Sequence, residues 1–152
     1  MAIKVVFKDG TELAVKGGVP CYTTPYQGVN REHIAIRCTE GSISFDDLKA
    51  ICSDSSRTAE ITTICTELVP KKITNEAGEE EISYIEKVTQ KVHYDMTLPV
   101  SVGYEMSDGE ELMVMRLAQK TSAEKSLEQL ASLENELAVT QMALIELASG
   151  GE

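Results

Sequence analysis

The sequence predicts an α+β fold: a mainly antiparallel β-sheet body with one short helix, followed by a long C-terminal amphipathic helix. Three observations carry that prediction. Apolar residues recur at every second position through most of residues 1–118, the period of half-buried strands. Glycine turn dipeptides, Asp9-Gly10 and Asp108-Gly109, interrupt those runs. From Lys120 the period changes from two to about three and a half, the spacing that stacks side chains on one helical face. We therefore expect a β-rich domain over 1–118, with about six or seven strands, and a long helix over 119–152 that serves assembly or packs on the sheet.

In chain order, Ile3, Val5 and Phe7 alternate with Lys4, Val6 and Lys8, and Leu13 and Val15 alternate with Glu12 and Ala14. The intervening Asp9-Gly10 predicts a two-residue hairpin turn with positive φ at both positions, pairing Ile3–Lys8 with Thr11–Lys16. Gly17 to Asn30 carries Gly, Pro, Tyr and Gln in no period and is expected to be a long loop, the kind of segment that forms binding surfaces. Its Tyr22 and Tyr26 are the candidate binding-loop residues, because amphipathic rings anchor interfaces; otherwise they cover the hairpin.

Arg31 to Cys38 reads as a strand with Ile34, Ile36 and Cys38 on one face and His33, Ala35 and Arg37 on the other. Ser44 is placed to cap a short helix, Phe45 to Cys52, with Asp47 at the capping-box position. Ser53 to Arg57 is a polar connector. A β-branched strand up to Val69 and the alternating run Ile82 to Met96 flank an acidic stretch centred on Gly78, the expected tip of a hairpin. Extended residues continue to Met106, and Glu111 to Leu117 form the last strand.

Composition narrows the function. The net charge is −11, from 25 acidic against 14 basic residues, and no run of Lys and Arg occurs, so neither nucleic acid nor an anionic membrane is an expected partner. No apolar stretch approaches the ~18 residues of a membrane span, and the N-terminus lacks the pattern of a secretory signal. Four cysteines, Cys21, Cys38, Cys52 and Cys65, are too few for a disulfide scaffold and suit a reducing compartment.

Chemistry-bearing patterns are missing. There is no CxxC, HxH or HExxH, so no metal is expected. Neither a GxSxG elbow nor a phosphate-cradling loop is present, and the residues carry no cofactor signature. We expect no catalytic residues; an enzyme would need His33 or His93 to meet a cysteine in space.

Thr121 to Glu152 is the most strongly patterned segment. Thr121 and Glu124 form an expected capping box, and Gly150 and Gly151 an expected left-handed C-terminal cap. About 28 helical residues would span roughly 40 Å. With Ala123, Leu130, Leu137 and Leu144 as a positions and Ser126, Leu133, Thr140 and Leu147 as d, the seam suits a coiled coil. Leu127, Met142 and Ile145 widen the stripe, as in a helix lying on a sheet. Oligomerisation or partner binding is therefore assigned to Leu127, Leu130, Leu133, Leu137, Leu144 and Leu147.

The opening FKDGTELAV hairpin, the β-rich body, the junction RLAQKTSAEKSLEQLASLENELA and the Gly-ended acidic terminus together resemble small structural proteins of bacteriophage and prophage tail modules of Gram-positive bacteria. That resemblance implies a virion component of the tail tip or baseplate, or a factor in its assembly, found in the virion or the bacterial host cytoplasm. Its partners would be copies of itself or other tail proteins, and it carries no catalytic residues. The expected function is non-enzymatic assembly through protein–protein contacts and oligomerisation. The alternative is a monomeric small-ligand or peptide-binding module that uses the loop over 17–30.

Overall fold

A computed structural model describes residues 1–150. The elements in order are β1 (Ala2–Phe7), β2 (Glu12–Val15), β3 (Cys21–Tyr26), β4 (Val29–Arg37), α1 (Phe45–Ser53), α2 (Ser55–Thr58), β5 (Glu60–Thr74), β6 (Glu80–Tyr94), β7 (Leu98–Ser107), β8 (Glu110–Ala118) and α3 (Ser122–Ser149). The fold is the α+β class expected, mainly antiparallel sheet with a long C-terminal helix. The strands form two four-stranded sheets, one in the order β2-β1-β5-β6 and the other β3-β4-β8-β7. At one corner the sheets meet: Val15 bridges Cys38, and the Lys16 N–H donates to the Arg37 carbonyl at 2.9 Å. The chain divides into two compact units, Met1–Gln119 and Lys120–Glu152.

Inward-facing residues of the two sheets build one core. Val5, Phe7, Leu13, Val15 and Ile61 from the first sheet join Ile34, Ile36, Met115 and Leu117 from the second. Leu48, Ile51 and Cys52 of α1 complete the cluster, together with Met96. The Ser44 hydroxyl starts α1 by accepting from the Asp47 N–H at 3.2 Å, and Asp46 and Asp47 place negative charge at the positive end of the helix. Phe45 stacks on Tyr104 of β7 with ring centroids 5.5 Å apart.

Four hairpin turns divide into two kinds. At Gln27-Gly28 and Asp108-Gly109 both central residues take positive φ, as a two-residue primed turn requires. At Asp9-Gly10 only the glycine does, which corrects the expected turn type. Here the Gly10 N–H donates to Phe7 and the Phe7 N–H to Thr11, so three residues are spanned. Asp9 Oδ1 accepts from the Thr11 N–H at 2.9 Å, and Asp9 Oδ2 lies 2.7 Å from Arg57 Nε, so the turn is closed locally and also tied to α2. The same three-residue pattern recurs at the tip near Gly78.

Three further expectations are corrected. Of Gly17 to Asn30 only residues 17–20 and the Gln27-Gly28 turn lie outside strands: Tyr22 and Tyr26 lie on β3, which pairs with β4 from Cys21↔Ile34 to Tyr26↔Val29. Pro25 is tolerated because β3 is an edge strand, where a missing N–H breaks no ladder. The polar connector after α1 contains α2, whose first N–H groups are met by Asp54. Gly150 ends α3 in right-handed geometry, its N–H donating to the Glu146 carbonyl, and Gly151 lies outside the described residues.

The β5–β6 hairpin outruns its sheet. β1 pairs with β5 only over Ile61 to Thr66, so Glu67 to Thr74 have β6 as their sole strand neighbour. This arm is about 26 Å long at 3.3 Å per residue.

Candidate functional site

α3 is closed at its start by the expected capping box. Thr121 Oγ1 accepts from the Glu124 N–H at 3.2 Å, and Glu124 Oε1 accepts from the Thr121 N–H at 3.0 Å. No residue of the helix is buried, and Leu127, Leu130, Leu133, Leu137, Leu144 and Leu147 are each more than half exposed, as are Val139, Met142 and Ile145. The two polar d positions need no partner. The Ser126 hydroxyl donates to the Ser122 carbonyl at 3.0 Å and the Thr140 hydroxyl to Glu136 at 2.9 Å. A seam along those positions would therefore bury no unsatisfied hydroxyl.

Tyr22 and Tyr26 sit on the same face of β3 and cover His33 of β4. The Tyr22 ring stacks on the imidazole, and the Tyr26 ring meets it edge-on at 6.0 Å. The Tyr26 hydroxyl donates to the Pro99 carbonyl at 3.3 Å. His33 is buried beneath them, with Nδ1 2.9 Å from the Arg31 carbonyl. His33 shares its face of β4 with Ala35 and Arg37, and the two rings bury it there.

On that same face, Glu105 of β7 joins two arginines. Arg116 Nη2 donates to Glu105 at 2.6 Å, and Arg37 Nη2 lies 3.5 Å from its other oxygen. The Arg116 hydrogen bond, with Arg37 adding its charge, holds the Glu105 carboxyl below the usual carboxylate range.

Cys21 and His93 both feel Glu32 and Lys91. The Cys21 thiol donates to Glu32 Oε1 at 2.7 Å, and burial together with that carboxylate pushes its pKa up to about 11. A thiol so held is protonated at neutral pH and is a poor nucleophile. Burial, with Lys91 adding to it, lowers the His93 pKa below the ordinary imidazole value, against the pull of Glu32. Among the described residues, no three His, Cys, Asp or Glu side chains converge where a metal ion could sit.

A surface not singled out in the sequence lies on β6. Even-numbered residues of β5 and β6 pair with each other and share one face. On it Leu68, Ile82, Tyr84, Val88, Val92 and Tyr94 are all exposed, Ile82 and Tyr84 by 64% each. The opposite face is the one that turns Ile61 and His93 into the core. The alternating run from Ile82 was legible in the sequence, but a period of two does not say which face meets the core.

No helix among the described residues is long and apolar enough to cross a membrane. No protein-family model, curated protein or solved structure matches the chain.

Proposed function

We propose that the protein is a non-enzymatic virion structural or tail-assembly protein of a phage or prophage, acting through protein–protein contacts and oligomerisation. One observation carries the assembly reading: a 28-residue helix presents an apolar stripe with no buried residue and with its interrupting hydroxyls already satisfied. Each leucine removed from water on association contributes about 1.5–3 kcal/mol before the cost of ordering. The charge of α3 bears on the partner. Lys125 stands against Glu124, Glu128, Glu134, Glu136 and Glu146 on the helix, so a homotypic bundle is held by leucines rather than by charge pairs. The phage setting, in the virion or in the host cytoplasm where it is built, rests on the resemblance in layout to small tail proteins.

Light scattering on the full chain tests the assembly reading. The native mass is expected to be a multiple of 16.6 kDa. Leu133→Glu combined with Leu137→Glu should lower it while the sheet signal in circular dichroism stays unchanged. A native protein that scatters as a monomer at tens of micromolar would overturn the reading.

A further inference from the structure

The outer edge of β6 carries two observations that the helix does not explain. The first concerns the backbone. The Asn75 N–H donates to Glu79 at 2.9 Å and the Asp95 N–H to Ala59 at 2.8 Å, in the register of the β5–β6 ladder. Antiparallel bonding alternates, so odd-numbered residues of β6 bond to β5 and even-numbered residues turn N–H and C=O outward. β6 ends its sheet, and among the described residues its edge is met at Tyr94, where the carbonyl accepts from Gln119 Nε2 at 3.1 Å. From Glu80 to Val92 the row is open for about 40 Å.

The second observation concerns side chains. The same even-numbered residues set Ile82, Tyr84, Val88 and Val92 on the exposed outer face. Monomeric proteins shorten, twist or cover such edges, because a long apolar one is a template for another strand.

We propose that β6 pairs antiparallel with β6 of a second copy of this chain, about a two-fold axis at Val88, making one eight-stranded sheet from two of four. The proposal deepens the assembly reading and rests on it only in that both require copies of this chain to meet. A two-fold interface must match itself, which makes the register testable against the sequence. With the axis at Val88, Tyr84 faces Val92 of the second copy, Glu86 faces Gln90, Lys87 faces Thr89 and Ile85 faces Lys91. No like charges oppose.

Neighbouring axes fail. An axis at Lys87 sets that lysine against itself, one at Glu86 sets two carboxylates together, and one at Thr89 opposes Lys87 to Lys91. Like charges directly opposite destabilise a strand pair. Axes at Tyr84 or Ile85 avoid this but set Ile82 or Tyr84 against Glu86, and axes beyond Thr89 run the partner past the open edge. Among axes from Tyr84 to Thr89, Val88 alone opposes neither like charges nor, on the exposed even-numbered face, an apolar side chain to a charged one.

Disulfide trapping in the full chain tests the proposal. Hydrogen-bonded antiparallel partners have Cα atoms about 5.5 Å apart, within reach of a disulfide. Under mild oxidation Val88→Cys is expected to give a covalent dimer in several-fold excess over Leu68→Cys, which sits exposed on the same face of β5, with the bond mapped to position 88 by peptide mass. Val88→Pro, which removes an outward N–H, should lower the oligomer mass seen by scattering. Trapping that persists in the Leu133→Glu, Leu137→Glu background supports pairing independent of α3. If the native chain scatters as an oligomer but Val88→Cys traps no better than Leu68→Cys, the β6 pairing is wrong and the helix reading stands. A monomeric native mass overturns both.

Discussion

The Tyr22 ring lies parallel to the His33 imidazole, with centroids 5.4 Å apart and planes 17° apart. This stack is what buries a histidine on the outer face of its sheet, and it gives Tyr22 a packing role. Truncation should therefore cost stability. Tyr22→Ala is expected to destabilise the body by about 1–3 kcal/mol, seen as a lower urea midpoint with unchanged slope. A binding-module role for Tyr22 would instead leave the midpoint unmoved and abolish ligand binding.

His93 makes the body sensitive to mild acid. Its folded pKa lies below the unfolded value, so the unfolded chain takes up the proton first. Its contribution is complete above about pH 6.5 and declines as pH falls below that. Chemical denaturation between pH 7.5 and 5 should show stability dropping with acid, with a shallower drop in His93→Phe. Equal slopes for the two proteins would remove His93 as the cause.

Asp9 acts in a lower range. The Thr11 N–H and then Arg57 hold its carboxyl below the usual value, so its stabilisation is present above about pH 4 and is lost as pH falls through the folded pKa. Asp9→Asn should flatten that acid limb while sparing neutral-pH stability most of its value, because the amide oxygen still accepts from Thr11. Thermal melts at pH 3 and pH 7 would show it.

Gly78 turns the tip of the arm at φ 80°, a conformation that costs an L residue about 1–2 kcal/mol. Gly78→Ala is expected to speed amide exchange over residues 67–87 while leaving the core midpoint within ~0.5 kcal/mol of the native value. Exchange that rises across the whole body would mean the arm and core unfold together.

At the start of α3, Thr121→Ala removes the hydroxyl that meets the Glu124 N–H. It should cost about 1 kcal/mol of helix stability, visible as an earlier loss of helical signal on heating.

Much of this architecture was legible because strand period and turn chemistry are local. The β1–β2 pairing, the α1 cap at Ser44, the acidic tip and the capping box at Thr121 follow from residues a few positions apart. β3 was missed because Pro25 and the flanking glycines read as punctuation, and only its edge position makes a proline tolerable there. The type of turn at Asp9 was missed because an Asp-Gly pair also suits a three-residue turn that needs positive φ only at the glycine, and the dipeptide does not record which of the two forms. The open face of β6 was missed for a different reason: which side of a strand is inside depends on sheet stacking, and nothing in one strand records it.

The ladders also set an order of events for folding. β3–β4, β5–β6 and β7–β8 each pair across a short turn, which isolated hairpins accomplish in about 1–10 μs. β1 with β5 and β4 with β8 must instead close loops of tens of residues, His33 meeting Ala118 at the extreme. Such closures are slow because their entropy is lost before any contact compensates it. We therefore expect the hairpins to assemble early and the β4–β8 seam to limit the rate, so that substitutions at Ile36 or Met115 slow refolding more than those near Gly78.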